Sequence, residues 1–259
     1  MKIVGKHCLN KNILDFFDNK TKNGIEHRVL IEKENDVFRE YMKEIIPKYH
    51  ANEQKIERTK KDLKELKIKN INRDISIYPK SDKTKKGNFA EIFLNEYLQE
   101  TTKTKSFIYR LRYNPNKEQS MKGDDVLLFD LNSNPVKIIV GESKFRKIPD
   151  KSCIKEIENG LKKSKLNGLP ISLEFISDML LNENNTELSD KLLDCRIMDE
   201  KSLKIGYIGF LMSNKKAKDC VNKNVCENFE NFEMISMNLE TPDEIVSEIF
   251  EELEDDLYE

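Results

Sequence analysis

The run LKIGYIGFLM, residues 203–212, limits the folds open to this chain more than any other stretch. Lys204 is its only charged residue, and both of its alternating faces are apolar. A strand of that kind must be covered on both sides, which places it in the middle of a sheet with helices above and below. Two apolar segments precede it, residues 125–131 and 136–145, joined across the turn signal Asn132-Ser133-Asn134-Pro135. The segment SFIYRLRY, 106–113, is expected to be a strand ahead of them, and 232–239 a strand after. Helical spacing appears at 84–100, where Phe89, Ala90, Phe93, Leu94, Tyr97 and Leu98 recur, and again from Ser152 as cap, with Ile154, Ile157 and Leu161. One or two further helices are expected between 171 and 195. A last helix opens with Thr241-Pro242-Asp243-Glu244, a capping-box spacing with proline at the first helical position. The order helix, three strands, helix, strand predicts an α/β fold with a mixed central sheet flanked by helices.

The first 80 residues read as a helical accessory region with a boundary near Tyr78-Pro79-Lys80-Ser81, and 81–259 as the main domain, ending in an acidic helix. A strand is expected at His27–Ile31. A helix carrying Val37, Phe38, Tyr41, Met42, Ile45 and Ile46 follows, with Pro47 expected to end or kink it. A highly charged helix is expected over 50–68.

Charges stand at the mouths of the two apolar segments. Side chains alternate along a strand, so Ile138, Val140, Glu142 and Lys144 share a face. If 125–131 and 136–144 pair antiparallel, the start of the first lies beside the end of the second. Asp125, Glu142 and Lys144 then cluster at one edge of the sheet. Two carboxylates bind Mg²⁺ or Mn²⁺ through hard oxygens and leave positions for water and a phosphate oxygen. A lysine two residues beyond can orient the attacking water or stabilise the transition state. Glu91, on the rim of the apolar stripe of the 84–100 helix, reads either as a further metal ligand or as an ordinary amphipathic-helix charge. Asp124 reads as a turn residue bonding its own backbone.

Gly123-Asp124-Asp125, then Glu142-Ser143-Lys144, with Gly87-Asn88-Phe89-Ala90-Glu91 ahead of them, resembles the PD-(D/E)xK nuclease superfamily. More narrowly, KGNFAEIFLNEYL, GDDVLLFD and GESKF in that order resemble the HamA family, the nuclease component of Hachiman anti-phage defence systems. That motif support covers roughly 81–213. No proline precedes the acidic pair, and the Glu91 motif is loose. The resemblance implies a restriction-endonuclease-like core. It implies a Mg²⁺-dependent deoxyribonuclease with Asp125 and Glu142 as ligands, Glu91 as a further one, and Lys144 as the catalytic cation. It also implies DNA as substrate and a superfamily 2 helicase partner, HamB-like, that restrains the nuclease in a heterodimer. Lacking a recognisable base-reading module, such a protein is expected to cut with little sequence preference. The competing reading is a non-catalytic DNA- or helicase-binding subunit on the same fold. An RNase differs only in substrate.

Charge distribution adds to this. The net charge is −2, but residues 53–86 hold twelve Lys/Arg against six Asp/Glu, and 224–259 hold thirteen Asp/Glu and no Lys or Arg. Each run reads as a solvated face or as an electrostatic surface. The acidic last helix could be solvated, pack its Ile/Leu stripe on a partner, or cover the basic groove as a DNA mimic. Lys162, Lys163 and Lys165 could touch phosphates or lie on a solvated face. His7, His27 and His50 have no partner pattern and read as surface or core residues. Cys8, Cys153, Cys195, Cys220 and Cys226 are odd in number and lack C-x-x-C, which argues against a zinc knuckle or a disulfide framework. They read as buried small apolar side chains in a reducing cytoplasm. The N-terminus has no signal-peptide pattern, and no run is long and apolar enough to span a membrane.

Overall fold

A computed structural model describes residues 2–5, 9, 13–33, 35–166, 168–199 and 201–258. The runs 203–212, 125–131 and 136–145 all form strands of one six-stranded sheet in the order β1-β2-β6-β5-β4-β3. β3 (Val126–Asp130) and β4 (Val136–Phe145) are an antiparallel hairpin, with Val126 opposite Gly141. β5 (Leu203–Asn214) lies parallel to β4 and to β6 (Phe232–Leu239), so it is enclosed on both edges as its two apolar faces require. β2 (Glu26–Glu32) runs parallel to β6, and β1 (Leu14–Lys20) closes the far edge antiparallel to β2.

Two helical layers cover this mixed sheet. On one face lie α1 (Asn35–His50), α2 (Glu53–Ile68), α3 (Asp82–Thr102) and α8 (Pro242–Tyr258). Their apolar residues merge with Leu128, Ile139, Phe210 and Ile235 of the sheet. On the other face α4 (Lys151–Leu166) and α7 (Ala217–Asn224) pack on Ile138, Val140 and Leu211. The pair α5 (Leu173–Asn182) and α6 (Thr186–Asp194) closes that side.

The first 80 residues contribute to the same sheet and the same core as the rest. β1 and β2 extend the sheet beyond β6, while Phe38, Met42 and Ile46 of α1 are buried with Phe89 and Phe93 of α3. Phe38 meets both rings edge-on, at 6.1 and 5.8 Å between centroids. Local periodicity gave no sign of β1, an exposed edge strand whose neighbours decide its conformation. It gave none of α7 either.

Three local expectations are corrected. The segment 106–113 is not a strand. Lys105 makes one antiparallel bridge to Phe129, and the chain then turns through a short 3-10 helix, Arg110–Tyr113. Its aromatic residues are satisfied by packing rather than by a ladder. Phe107 stacks on Phe129 at 5.3 Å and Tyr109 lies 4.5 Å from Tyr49, while the neighbours Arg110 and Leu111 both point inward, which extended alternation forbids. Pro47 does not end α1. It cannot donate, but its carbonyl accepts from Ala51 N at 3.0 Å, so the helix runs on for its last turn. The cap of α4 is Asp150 rather than Ser152: its carboxylate accepts from Cys153 N at 3.0 Å and from the Ser152 hydroxyl at 2.7 Å.

The apolar stripe of α8 is spent within this chain. Ile245, Val246, Ile249, Phe250, Leu253 and Leu257 are all buried in the core. This rules out the stripe as a partner-binding surface. The charged side of the helix is tied down in part, by Arg39–Glu248 and Lys43–Glu252 ion pairs.

Candidate active site

The β3–β4 register sets the geometry. The ladder ends at Val126–Gly141, so the next residues outward, Asp125 and Glu142, stand side by side where the hairpin opens. Asp125 shares the face of Leu127 and Phe129. Glu142 and Lys144 share the face of Ile138 and Val140, and all four apolar residues belong to the α4 side of the sheet. The structure thus brings Asp125, Glu142 and Lys144 together.

Asp125 is fixed by Ser143. Its Oδ2 accepts the backbone N–H of Ser143 at 2.8 Å and the Ser143 hydroxyl at 3.1 Å. Among the described residues, no hydrogen bond falls on Oδ1. Lys144 Nζ donates to Glu142 Oε1 and, at 3.1 Å, to the carbonyl of Ser143. Burial and the neighbouring Asp125 charge push the Glu142 carboxyl up to about 7, against the pull of Lys144. Burial alone would lower Lys144, but the charges of Asp125 and Glu142 outweigh it and hold the amine protonated.

Glu91 reaches the group from α3, across the open edge of the hairpin. Burial pushes its carboxyl up to about 8; Arg110 opposes this, and the charges of Asp125 and Glu142 reinforce it. Glu91, Asn95, Arg110 and Asp125 line a common cavity of about 10 Å³. A much larger hollow, about 1060 Å³, lies at the N-terminal ends of β5 and β6 and contains none of Asp125, Glu142 or Lys144. The clustered charges, not the size of a hollow, mark the candidate site.

Two glycines let α4 sit low over this corner. A Cβ on Gly160 would lie 2.6 Å from Glu142 Cδ, and one on Gly209 would lie 2.7 Å from Ile157. Gly209 is the β5 partner of Glu142 in the parallel register. Helix and sheet therefore close on the glutamate from two sides. A glycine in the middle of an amphipathic helix was the available sequence signal for Gly160. Ser143 and Arg110 had none, because their roles depend on contacts made far along the chain.

Does this donor set suit a divalent cation? Three carboxylates crowd one corner, and two of them are held well above the usual carboxylate range. A hard dication relieves such an excess of negative charge. Among the described residues, no three His, Cys, Asp or Glu side chains stand close enough to form a complete ligand set. Asp125 and Glu142 stand together as a pair of hard oxygen donors, and Glu91 faces them from α3, its own carboxyl raised in part by their charge. Two carboxylates, with water and substrate oxygens completing the shell, are an ordinary provision for Mg²⁺.

The other candidates lie elsewhere. Asp124 is buried and does not bond its own backbone. Its carboxylate accepts from the Ser164 hydroxyl and, at 2.9 Å, from Ser172 N, tying the start of β3 to the α4–α5 connection. Lys162 pairs with Glu227 at 2.6 Å and Lys165 lies 4.9 Å over the Phe229 ring, so both are engaged on the outer side of α4. Lys163 is exposed. His27 is buried, with Nδ1 2.8 Å from Asn222 Oδ1 and Nε2 2.8 Å from Ser236 Oγ. His50 is buried between the Tyr78 and Phe250 rings. Cys153, Cys195 and Cys220 are buried free thiols, and Cys226 is exposed. His7 and Cys8 lie outside the described residues. No helix among the described residues is long and apolar enough to cross a membrane.

A family model described as HamA matches residues 4–253 of the chain. The Hachiman protein HamA of Bacillus cereus is 37% identical over 267 residues, an alignment covering 99% of this chain and 96% of that protein.

Proposed function

This chain belongs to the HamA family of Hachiman defence proteins, and from that premise we propose that it is a metal-dependent deoxyribonuclease. The observation that carries the reading is the convergence of Asp125, Glu142 and Lys144 where the β3–β4 ladder ends. Asp125 and Glu142 would hold Mg²⁺ or Mn²⁺. When bound, the cation supplies charge neutralisation at the phosphorus and acidifies a water. Lys144, kept protonated by the two acids, donates to the phosphate oxygens or to the attacking water. Lys144 spans Glu142 Oε1 and the Ser143 carbonyl and would have to release the Glu142 oxygen for a cation to take it.

The substrate is DNA, cut with little base preference. The sequence holds no recognisable base-reading module, and phosphate contacts carry no sequence information. A superfamily 2 helicase is the partner that restrains the activity until DNA is remodelled. Incubating supercoiled plasmid with protein, helicase, Mg²⁺ and ATP tests the reading. Nicking or linearisation is expected, with loss of cleavage in both Glu142→Ala and Lys144→Ala. Cleavage surviving both substitutions, or absent under every condition, overturns the enzyme and leaves a binding subunit. The same assay with RNA separates the two nuclease substrates.

A further inference from the structure

Among the described residues of this corner, Arg110 is a buried cation whose donors the fold leaves largely unused. It sits at the head of the 3-10 turn and is 6% exposed. Nη2 donates to the carbonyl of Lys122 at 3.2 Å. Nε and Nη1 are buried and have no hydrogen-bond partner among the described residues. A guanidinium stays charged at any pH at which proteins fold, and burying it unpaired is strongly unfavourable. Unsatisfied buried donors therefore point to a function or to an ordered solvent molecule. The small cavity in front of Arg110 is walled by Glu91, Asn95 and Asp125, and its volume, about 10 Å³, is at the lower limit for a single water. Glu91 makes no direct ion pair with Arg110, yet the guanidinium is the strongest charge opposing the rise of its pKa. One water between them would satisfy donor and acceptor together.

We propose that Arg110 is a positioning residue for the divalent-cation site, holding the Glu91 carboxylate beside Asp125 and Glu142 through one buried water. The inference rests on the metal-site reading above and adds to it. Arg110 does not touch substrate or cation. It fixes the orientation of the nearest carboxylate on the facing helix and offsets part of the negative charge there. Lysine in its place would keep the charge but lose the planar fork that serves the Lys122 carbonyl and the cavity at once.

The test is Mn²⁺ binding to the full-length protein, without DNA, followed by calorimetry or by the paramagnetic resonance of the free ion. Outer partners of metal-binding carboxylates typically change affinity about 10- to 100-fold. Arg110→Gln is expected to weaken Mn²⁺ binding by about tenfold, in that range. Arg110→Lys should recover part of the loss. Glu91→Gln should add little in the Arg110→Gln background, since the two act as a unit. Arg110→Met should melt no lower than the parent, because it removes an unpaired buried charge, and should still bind Mn²⁺ more weakly. Unchanged Mn²⁺ affinity in Arg110→Gln, or effects of Arg110→Gln and Glu91→Gln that simply add, overturns the proposal and leaves the nuclease reading standing. Loss of fold in both Arg110→Gln and Arg110→Met makes Arg110 a structural residue and overturns it too. Absence of Mn²⁺ binding by the parent protein overturns the metal reading and this inference together.

Discussion

The Asp125 carboxylate continues the β3–β4 ladder past its last backbone pair, with Oδ2 accepting the N–H of Ser143 at 2.8 Å. One oxygen is thus committed to the fold, and among the described residues the other is free for chemistry. The two uses can be separated. Asp125→Asn keeps a carbonyl oxygen able to accept from Ser143 but removes the charge. Its melting temperature should stay within a few degrees of the parent, while plasmid cleavage falls about 100-fold or more, as expected when one electrostatic group is lost from a site. Cleavage at the parental rate would remove Asp125 from the mechanism.

Lys144 occupies Glu142 Oε1 in the free protein and therefore competes with any cation for that oxygen. Lys144→Met should bind Mn²⁺ more tightly than the parent and yet cleave about 10²- to 10³-fold more slowly. The opposed signs distinguish a catalytic cation from a structural ion pair. Weaker Mn²⁺ binding in this variant would argue for the structural pair.

Gly160 has no room for a methyl group because the Glu142 carboxyl fills the space. Gly160→Ala should destabilise the protein by about 1–3 kcal/mol, the usual range for overpacking, and should depress cleavage by displacing Glu142. Shortening the acid in the double variant Gly160→Ala/Glu142→Asp should restore the melting temperature without restoring activity. Chemical denaturation and the plasmid assay read the two effects separately.

His27 should make stability depend on pH. Burial lowers its pKa from 6.5 to about 4, so the folded protein holds the ring neutral between Asn222 and Ser236. Between pH 6.5 and 4 the unfolded chain takes up a proton that the folded chain refuses. The stabilisation is fully present above pH 6.5 and is lost as pH falls towards 4, by about 3 kcal/mol in all. Urea titrations across that window should show the decline, and His27→Gln should flatten it. His50, lowered to about 3 by burial, leaves a residual slope in the variant. Identical slopes for parent and variant would exclude His27 as the source.

The acidic last helix is a core element as well as a charged surface. Removing residues 241–259 should yield unfolded or aggregated protein rather than a deregulated enzyme, since six of its apolar side chains are buried. Leu253→Ala alone should cost about 2–5 kcal/mol. Reversing the exposed charges Glu251, Asp255 and Asp256 to lysine tests the electrostatic role with the fold intact. A folded, soluble truncation, judged by circular dichroism, would contradict the packing described here.

The convergence of Asp125, Glu142 and Lys144 was legible in the sequence because it depends on two short-range rules. Strand alternation put Glu142 and Lys144 on one side, and a tight turn returned Asp125 to meet them. Gly160 and Ser143 act through contacts between elements, and their local patterns say little about which element will be opposite. Residues 106–113 show the converse. Their β-forming composition was real, but it was used to stack Phe107 on Phe129 and to bury Arg110. The two N-terminal strands join the sheet only through β6, some two hundred residues later, and nothing local announces such a pairing.

That distant pairing governs when the protein can come into being. During synthesis, β2 waits for β6, and the core waits for the last helix to leave the ribosome. A nascent or prematurely terminated polypeptide carries the acids and the lysine without the completed scaffold that supports them. The corner that holds Asp125, Glu142 and Lys144 thus takes its support from a helix at the far end of the chain.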